Sequence, residues 1–165
     1  MDRQHAELTT AMVNYDRGDA KRIQHFIKVH DFAAVIGTLE GLDEETQFIL
    51  ETAAILHDIG IRISEQKYGS SSGKYQEKEG PAEARRLMEQ VGGYTEAQME
   101  RVEYLVAHHH TYQNIQGMDH QILVEADFLV NLYEEDSREQ TRKSVCERIF
   151  RTQTGIRLFE DMFAV

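Results

Sequence analysis

Apolar residues recur at three- and four-residue spacing along nearly the whole 165-residue chain, and no segment sustains the alternation of a strand. The pattern predicts an all-α protein. Residues 3–15 read as a short helix that ends near Gly18. Asp19 fits the cap of a long helix running to about Leu39, with Gly41 as its stop. Asp43 opens the next, with acids in its first turn, and ILETAAILHD carries it to Gly60. From Arg62 to Lys78 the periodicity fails in a polar, Gly- and Ser-rich stretch that reads as a long loop, and loops of this length in a compact domain tend to be functional. Pro81 after Gly80 fits the first turn of a helix ended by Gly92-Gly93, and Thr95 starts another that runs into a triple histidine. Helices over about 119–134, 137–151 and 155–163 complete the chain.

The length suits one compact domain over residues 1–165, with a core of about 20–135 and the C-terminal helices packed on it. Hydrophobic residues at 41% and charged residues at 28% exclude disorder, and no apolar run approaches a membrane span. The first ten residues lack the apolar core of a signal peptide, and one cysteine, Cys146, cannot close an internal disulfide, so a cytoplasmic protein is expected. A net charge of −11 argues against binding double-stranded nucleic acid. Lys21 and Arg22, Lys67 and Lys74, and Arg85 and Arg86 are local basic exceptions, most simply solvated charges. An anionic substrate would need help against the overall field, which a bound cation can give.

Histidines and acids on apolar faces carry the candidate chemistry. His57-Asp58 ends the stretch ILETAAIL, on one helical stripe with Leu50, Ala54 and Ile61. His25 shares a stripe with Val29, Phe32 and Ile36, whereas His30 lies off it. Residues 122–133, ILVEADFLVNLY, are apolar almost all round and so should be central, yet they carry Glu125 and Asp127. A buried carboxylate needs an opposite charge or a metal. His5 and His120 look like surface residues.

His25, His57-Asp58 and Asp127 together resemble the H…HD…D signature of the HD superfamily, and AAILHDIG is similar to that family's metal-binding helix. The resemblance covers about residues 20–135. It implies a compact helical bundle and, in most members, a phosphohydrolase acting on nucleotides, phosphomonoesters or cyclic nucleotides. A minority are diiron oxygenases. It also implies one divalent ion (Fe, Mn, Ni, Co, Zn or Mg) on His25, His57, Asp58 and Asp127. Members with two metals add two further histidines. Glu79-Gly80-Pro81 stands where the first would be, so a glutamate replaces that histidine, and a second ion on Glu79, His109 and His110 is left open. The alternative for Glu79 is a first-turn acid favoured by the helix dipole. Family spacing selects His109 from His108-His109-His110, with His110 next and His108 pointing away.

The expected reaction is metal-assisted hydrolysis of a phosphoester in a small phosphorylated substrate. Asp58 orients water, and Glu79 or His109 serves proton transfer or a second ion. Arg22, Lys67 and Lys74 are the candidate phosphate contacts. Two rivals stand beside it: a diiron oxygenase and a catalytically silent metal-binding or ligand-sensing domain. No membrane partner is expected, and homodimerisation is left open.

Overall fold

Five helices start on a side chain that accepts a backbone N–H of the first turn: Asp2, Asp19, Asp43, Thr95 and Thr152. The computed structural model describes residues 1–165 and contains nine helices and no strand. They are α1 (Arg3–Tyr15), α2 (Ala20–Leu39), α3 (Glu44–Leu56), α4 (Gly60–Tyr68), α5 (Gly73–Val91), α6 (Glu96–His108), α7 (Met118–Glu134), α8 (Glu139–Ile149) and α9 (Gln153–Phe163). Helix α7 is central, against α2, α3 and α6, while α5 pairs with α4 and α6 and α1 covers α3 and α5. Helices α8 and α9 lean on the far side of α7. The core joins Phe26 and Ile36 of α2, Leu50 of α3, Leu105 of α6 and Ile122 and Leu129 of α7. Each such side chain contributes roughly 1.5–3 kcal/mol on burial. No helix is long and apolar enough to cross a membrane.

Three expectations about the middle of the chain need correction. Residues 62–78 are not a loop: α4 runs to Tyr68 and α5 begins at Gly73, leaving only a short turn between them. Pro81 lies inside α5 rather than in its first turn. Gly60 does not stop a helix but begins α4, and it lacks a side chain where the backbone of α5 crosses it closely. A Cβ on Gly60 would lie 2.8 Å from Gly80 Cα, and one on Gly80 would lie 2.8 Å from Val106 Cγ1. Gly69, at φ +63°, supplies the left-handed turn that ends α4, and the rings of Tyr68 and Tyr75 stack across the turn at 4.1 Å.

Two histidines expected at the surface are buried instead. His5 stacks on Phe48 at 4.6 Å and bonds the Thr52 hydroxyl. His120 donates to the His108 carbonyl and accepts from the Gln116 N–H, so its polar atoms are satisfied without solvent.

Glu125, fully buried on α7, is satisfied by a different route. Its carboxylate accepts from Gln121 Nε2 at 2.7 Å, from the backbone N–H of Arg151 at 2.6 Å and Thr152 at 3.0 Å, and from the Thr152 hydroxyl. The segment between α8 and α9 is thereby tied to the central helix. Glu125→Ala strands these donors and should lower stability by roughly 2–4 kcal/mol, with Glu125→Gln milder. Denaturant melts test this, and a loss under about 0.5 kcal/mol would contradict the tether.

Asp16, at the C-terminus of α1, is buried and its Oδ2 has no hydrogen-bond partner. Burial, only partly offset by Arg22 and Arg62, pushes its pKa up to about 6. A carboxyl whose folded pKa exceeds its unfolded value favours folding when protonated, so stability falls as pH rises from about 4 to about 6. Asp16→Asn should melt higher than wild type at pH 7.5, with the difference vanishing at pH 4. Thermal melts across that range decide it.

Candidate metal centre

Four donor atoms from three regions of the chain meet beneath the surface. His25 comes from the buried face of α2, Asp127 from α7, and His57 and Asp58 from the turn between α3 and α4. His25 Nε2 lies 3.1 Å from His57 Nε2, 3.3 Å from Asp58 Oδ2 and 3.2 Å from Asp127 Oδ1. His57 Nε2 lies 3.5 Å from each of the same two carboxylate oxygens. All four residues are buried.

The imidazole protons are fixed by what the other ring nitrogen touches. A carbonyl can only accept, so His57 Nδ1–H donates to Ala54 O at 2.8 Å. His109, at the end of α6, does the same to Val106 O at 2.8 Å. Both carbonyls lie three residues back in the last turn of a helix, where carbonyls lack an intrahelical donor. His25 Nδ1 faces Glu134 Oε2 at 3.2 Å, and Lys28 Nζ holds the other Glu134 oxygen at 2.6 Å. Partners of this kind set the tautomer and orientation of ligating histidines. The Nε2 lone pairs of His25 and His57 therefore point at each other and at two carboxylates, an arrangement that needs a cation.

A divalent ion fits this set. Ligands about 2.0–2.1 Å from an ion lie about 3.0–3.4 Å from one another, close to the spacings seen. Without an ion, protons meet the same need. Burial opposes charge on His25, but hydrogen bonds that its ring donates to the Asp127 and Asp58 carboxylates outweigh it and raise its pKa to about 9. His57 goes well above its ordinary value for a similar reason, with the charge of Asp58 leading the upward pull. Burial would raise both carboxyls, yet the histidines hold Asp58 and Asp127 below the usual carboxylate range.

Asp58 also faces a second cluster. Its Oδ1 lies 3.1 Å from His109 Nε2 and 3.9 Å from His110 Nε2. Asp58, His109 and His110 form a second group that can hold an ion, with Asp58 shared between the two. His110 contacts Gln76 Oε1 at 3.3 Å, and burial followed by the charge of His109 pushes its pKa down to about 4. It is a neutral imidazole near pH 7. His108 turns away, stacked on Tyr104 at 4.1 Å.

The family profile of the HD domain matches residues 22–150, most of the chain. The chain belongs to the HD domain family. No curated protein and no solved structure matches it significantly.

Within this HD domain the remaining predicted residues fall in different places. Arg22 lines a cavity of about 270 Å³ at the mouth of the first cluster, together with Lys21, His25, Asp58, Asn131 and Glu134. Its guanidinium lies 3.4 Å from Asp19 and 3.3 Å from Glu65. Glu79 is not gathered with the histidines: it pairs with Lys67 at 2.8 Å and accepts from the Tyr68 hydroxyl at 2.6 Å. That pair occupies Lys67 as well, and Lys74 Nζ lies 6.0 Å from the centre of the Tyr75 ring. Two other α5 side chains reach His110 instead: Gln76, one helical turn before Glu79, meets its imidazole, and Glu77 accepts from its backbone N–H at 3.2 Å.

Sequence reasoning missed Gln76, Asn131 and Glu134. Asn131 donates to Asp127 Oδ1 at 2.9 Å, and its spacing of four from Asp127 was the available signal. Glu134 follows at the next turn of the same helix.

Asp127→Ala and Glu79→Ala should separate these placements. Asp127→Ala should lose bound metal and the thermal stabilisation that metal gives the folded state. Glu79→Ala should keep its full metal content and lose only its contacts with Lys67 and the Tyr68 hydroxyl, with little change in melting temperature. Metal content per chain and melting temperature, with and without added ion, decide both. Retention of metal by Asp127→Ala would remove it from the centre.

Proposed function

We propose that the protein is a metal-dependent phosphohydrolase acting on a small phosphoester. One observation carries this reading: His25, His57 and Asp58 form a buried group able to hold a cation, with Asp127 against both imidazoles, beside a cavity lined by Arg22 and Lys21. Asp19, Asp58 and Glu134 share that lining, so an anionic substrate there would rely on the bound cation together with Lys21 and Arg22. His25, His57, Asp58 and Asp127 would hold the ion. A bound divalent ion supplies Lewis acidity toward a phosphoryl oxygen and makes water a better nucleophile.

The chain's own groups complete the site. Arg22 meets the phosphate at the mouth, and the carboxylates of Asp19 and Glu65 keep its fork in place. Asn131 fixes Asp127 through its amide, and Glu134 with Lys28 fixes His25. Asp58 reaches both clusters and is the carboxylate that orients the attacking water. His110, neutral at pH 7, offers hydrogen bonding or ligation rather than a charged acid. Two-ion chemistry, including that of a diiron oxygenase, would draw on Asp58, His109 and His110 in addition.

The test is a screen of phosphomonoesters, nucleotides and cyclic nucleotides with Mn, Fe, Co, Ni, Zn or Mg. Hydrolysis should require the ion, stop on chelation and return on its restoration. Arg22→Ala should raise KM by about tenfold or more with little change in metal content, as expected for a lost charge-assisted phosphate contact. Full metal loading without turnover of any phosphoester would sink this function. Oxygen consumption by an iron-loaded protein would favour the oxygenase.

A further inference from the structure

A second cavity, about 630 Å³, has His110 in its wall. Tyr112, Phe128, Val145 and Ile149 give it apolar walls, with Arg148 on its rim. His110 is the link to the centre, since its Nε2 lies 3.9 Å from Asp58 Oδ1 while its Nδ1 faces the Tyr112 hydroxyl at 3.4 Å. Asp58 lines the Arg22 mouth, and His110 carries the wall of this groove to within 3.9 Å of the same carboxylate.

Two features of the groove point to its occupant. The Tyr112 ring is 41% exposed and stands 5.0 Å from Phe128 at 51°, so an aromatic surface faces open space. A planar group inserted there would bury apolar area and gain an aromatic contact. Arg148 is the second feature. Its side chain bonds only the Ser144 carbonyl and has no carboxylate partner, unlike Arg22 at the other mouth. An unpaired guanidinium in so acidic a chain is receptive to an anion. The volume falls within the range of small-molecule sites.

We propose that this groove takes the leaving-group end of the substrate, and that this end is a planar aromatic group with an anionic substituent that Arg148 meets. The direction of insertion rests on the phosphoester reading. The binding preference does not require turnover.

Non-hydrolysable phosphonates test the two separately. In Zn-loaded protein, calorimetry would compare methylphosphonate, phenylphosphonate and 4-carboxyphenylphosphonate, while methyl NMR follows Val145 and Ile149. Phenylphosphonate should bind about tenfold tighter than methylphosphonate, and the carboxylate should tighten it further. The Val145 and Ile149 methyl signals should shift only with the aromatic ligands. Tyr112→Ala should erase the aromatic preference, and Arg148→Ala only the increment from the carboxylate. Tyr112→Leu retains apolar cover should the alanine variant fold poorly, and it should show a reduced preference.

Equal binding of methyl- and phenylphosphonate, no binding of either, or shifts that miss Val145 and Ile149 would overturn the groove assignment. In those cases hydrolysis of a non-aromatic phosphoester would leave the function above standing. Aromatic selectivity with no hydrolysis of any phosphoester would support the groove and reject the reaction.

Discussion

The centre of this molecule rests on a concentration of electron pairs that water cannot reach. Two imidazole nitrogens lie 3.1 Å apart in a buried cage, and each lies within 3.5 Å of an oxygen of Asp58 and of Asp127. The Nδ1 atoms of His25 and His57 are already engaged, with Glu134 and the Ala54 carbonyl, so rotation of the rings is no escape. Only positive charge stabilises such a cluster. The apolar helices around it keep the donors from relaxing apart. A domain built this way treats its core as a clamp rather than only a source of stability.

One local device occurs twice. Helices α3 and α6 both end at a histidine that donates back to a carbonyl of the last turn. The carbonyls left over by the end of a helix thereby aim His57 and His109 at opposite sides of Asp58. For these two histidines, ending the helix and orienting the ring are a single event, whereas His25 and Asp127 are set by the buried faces of α2 and α7.

The all-helical fold and the four residues of the first cluster were legible because burial and chemistry conflict openly there. Asp127 stands among Ile122, Leu123, Leu129 and Val130, and no solvent-facing stripe relieves it. The start of α5 was illegible for the opposite reason. Its buried face reads Gln76, Gly80, Ala84, Leu87 and Met88, so the first two inward positions carry no hydrophobic side chain. Gly80 is small because α4 and α6 come close, and Gln76 is polar because His110 is its neighbour. Hydrophobic periodicity cannot detect a face chosen for closeness and polarity. His5 and His120 misled similarly, since their partners, Thr52, Phe48 and the His108 carbonyl, come from distant parts of the chain.

Glu125 and Asp127 stand two residues apart on α7 and serve different neighbourhoods. One fastens the segment between α8 and α9, and the other faces the cage. The C-terminal helices therefore resemble an exchangeable jaw bolted to a fixed anvil. Mutational drift could remodel α8, and with it the groove wall at Val145, Arg148 and Ile149, while the chemistry beneath stays constant.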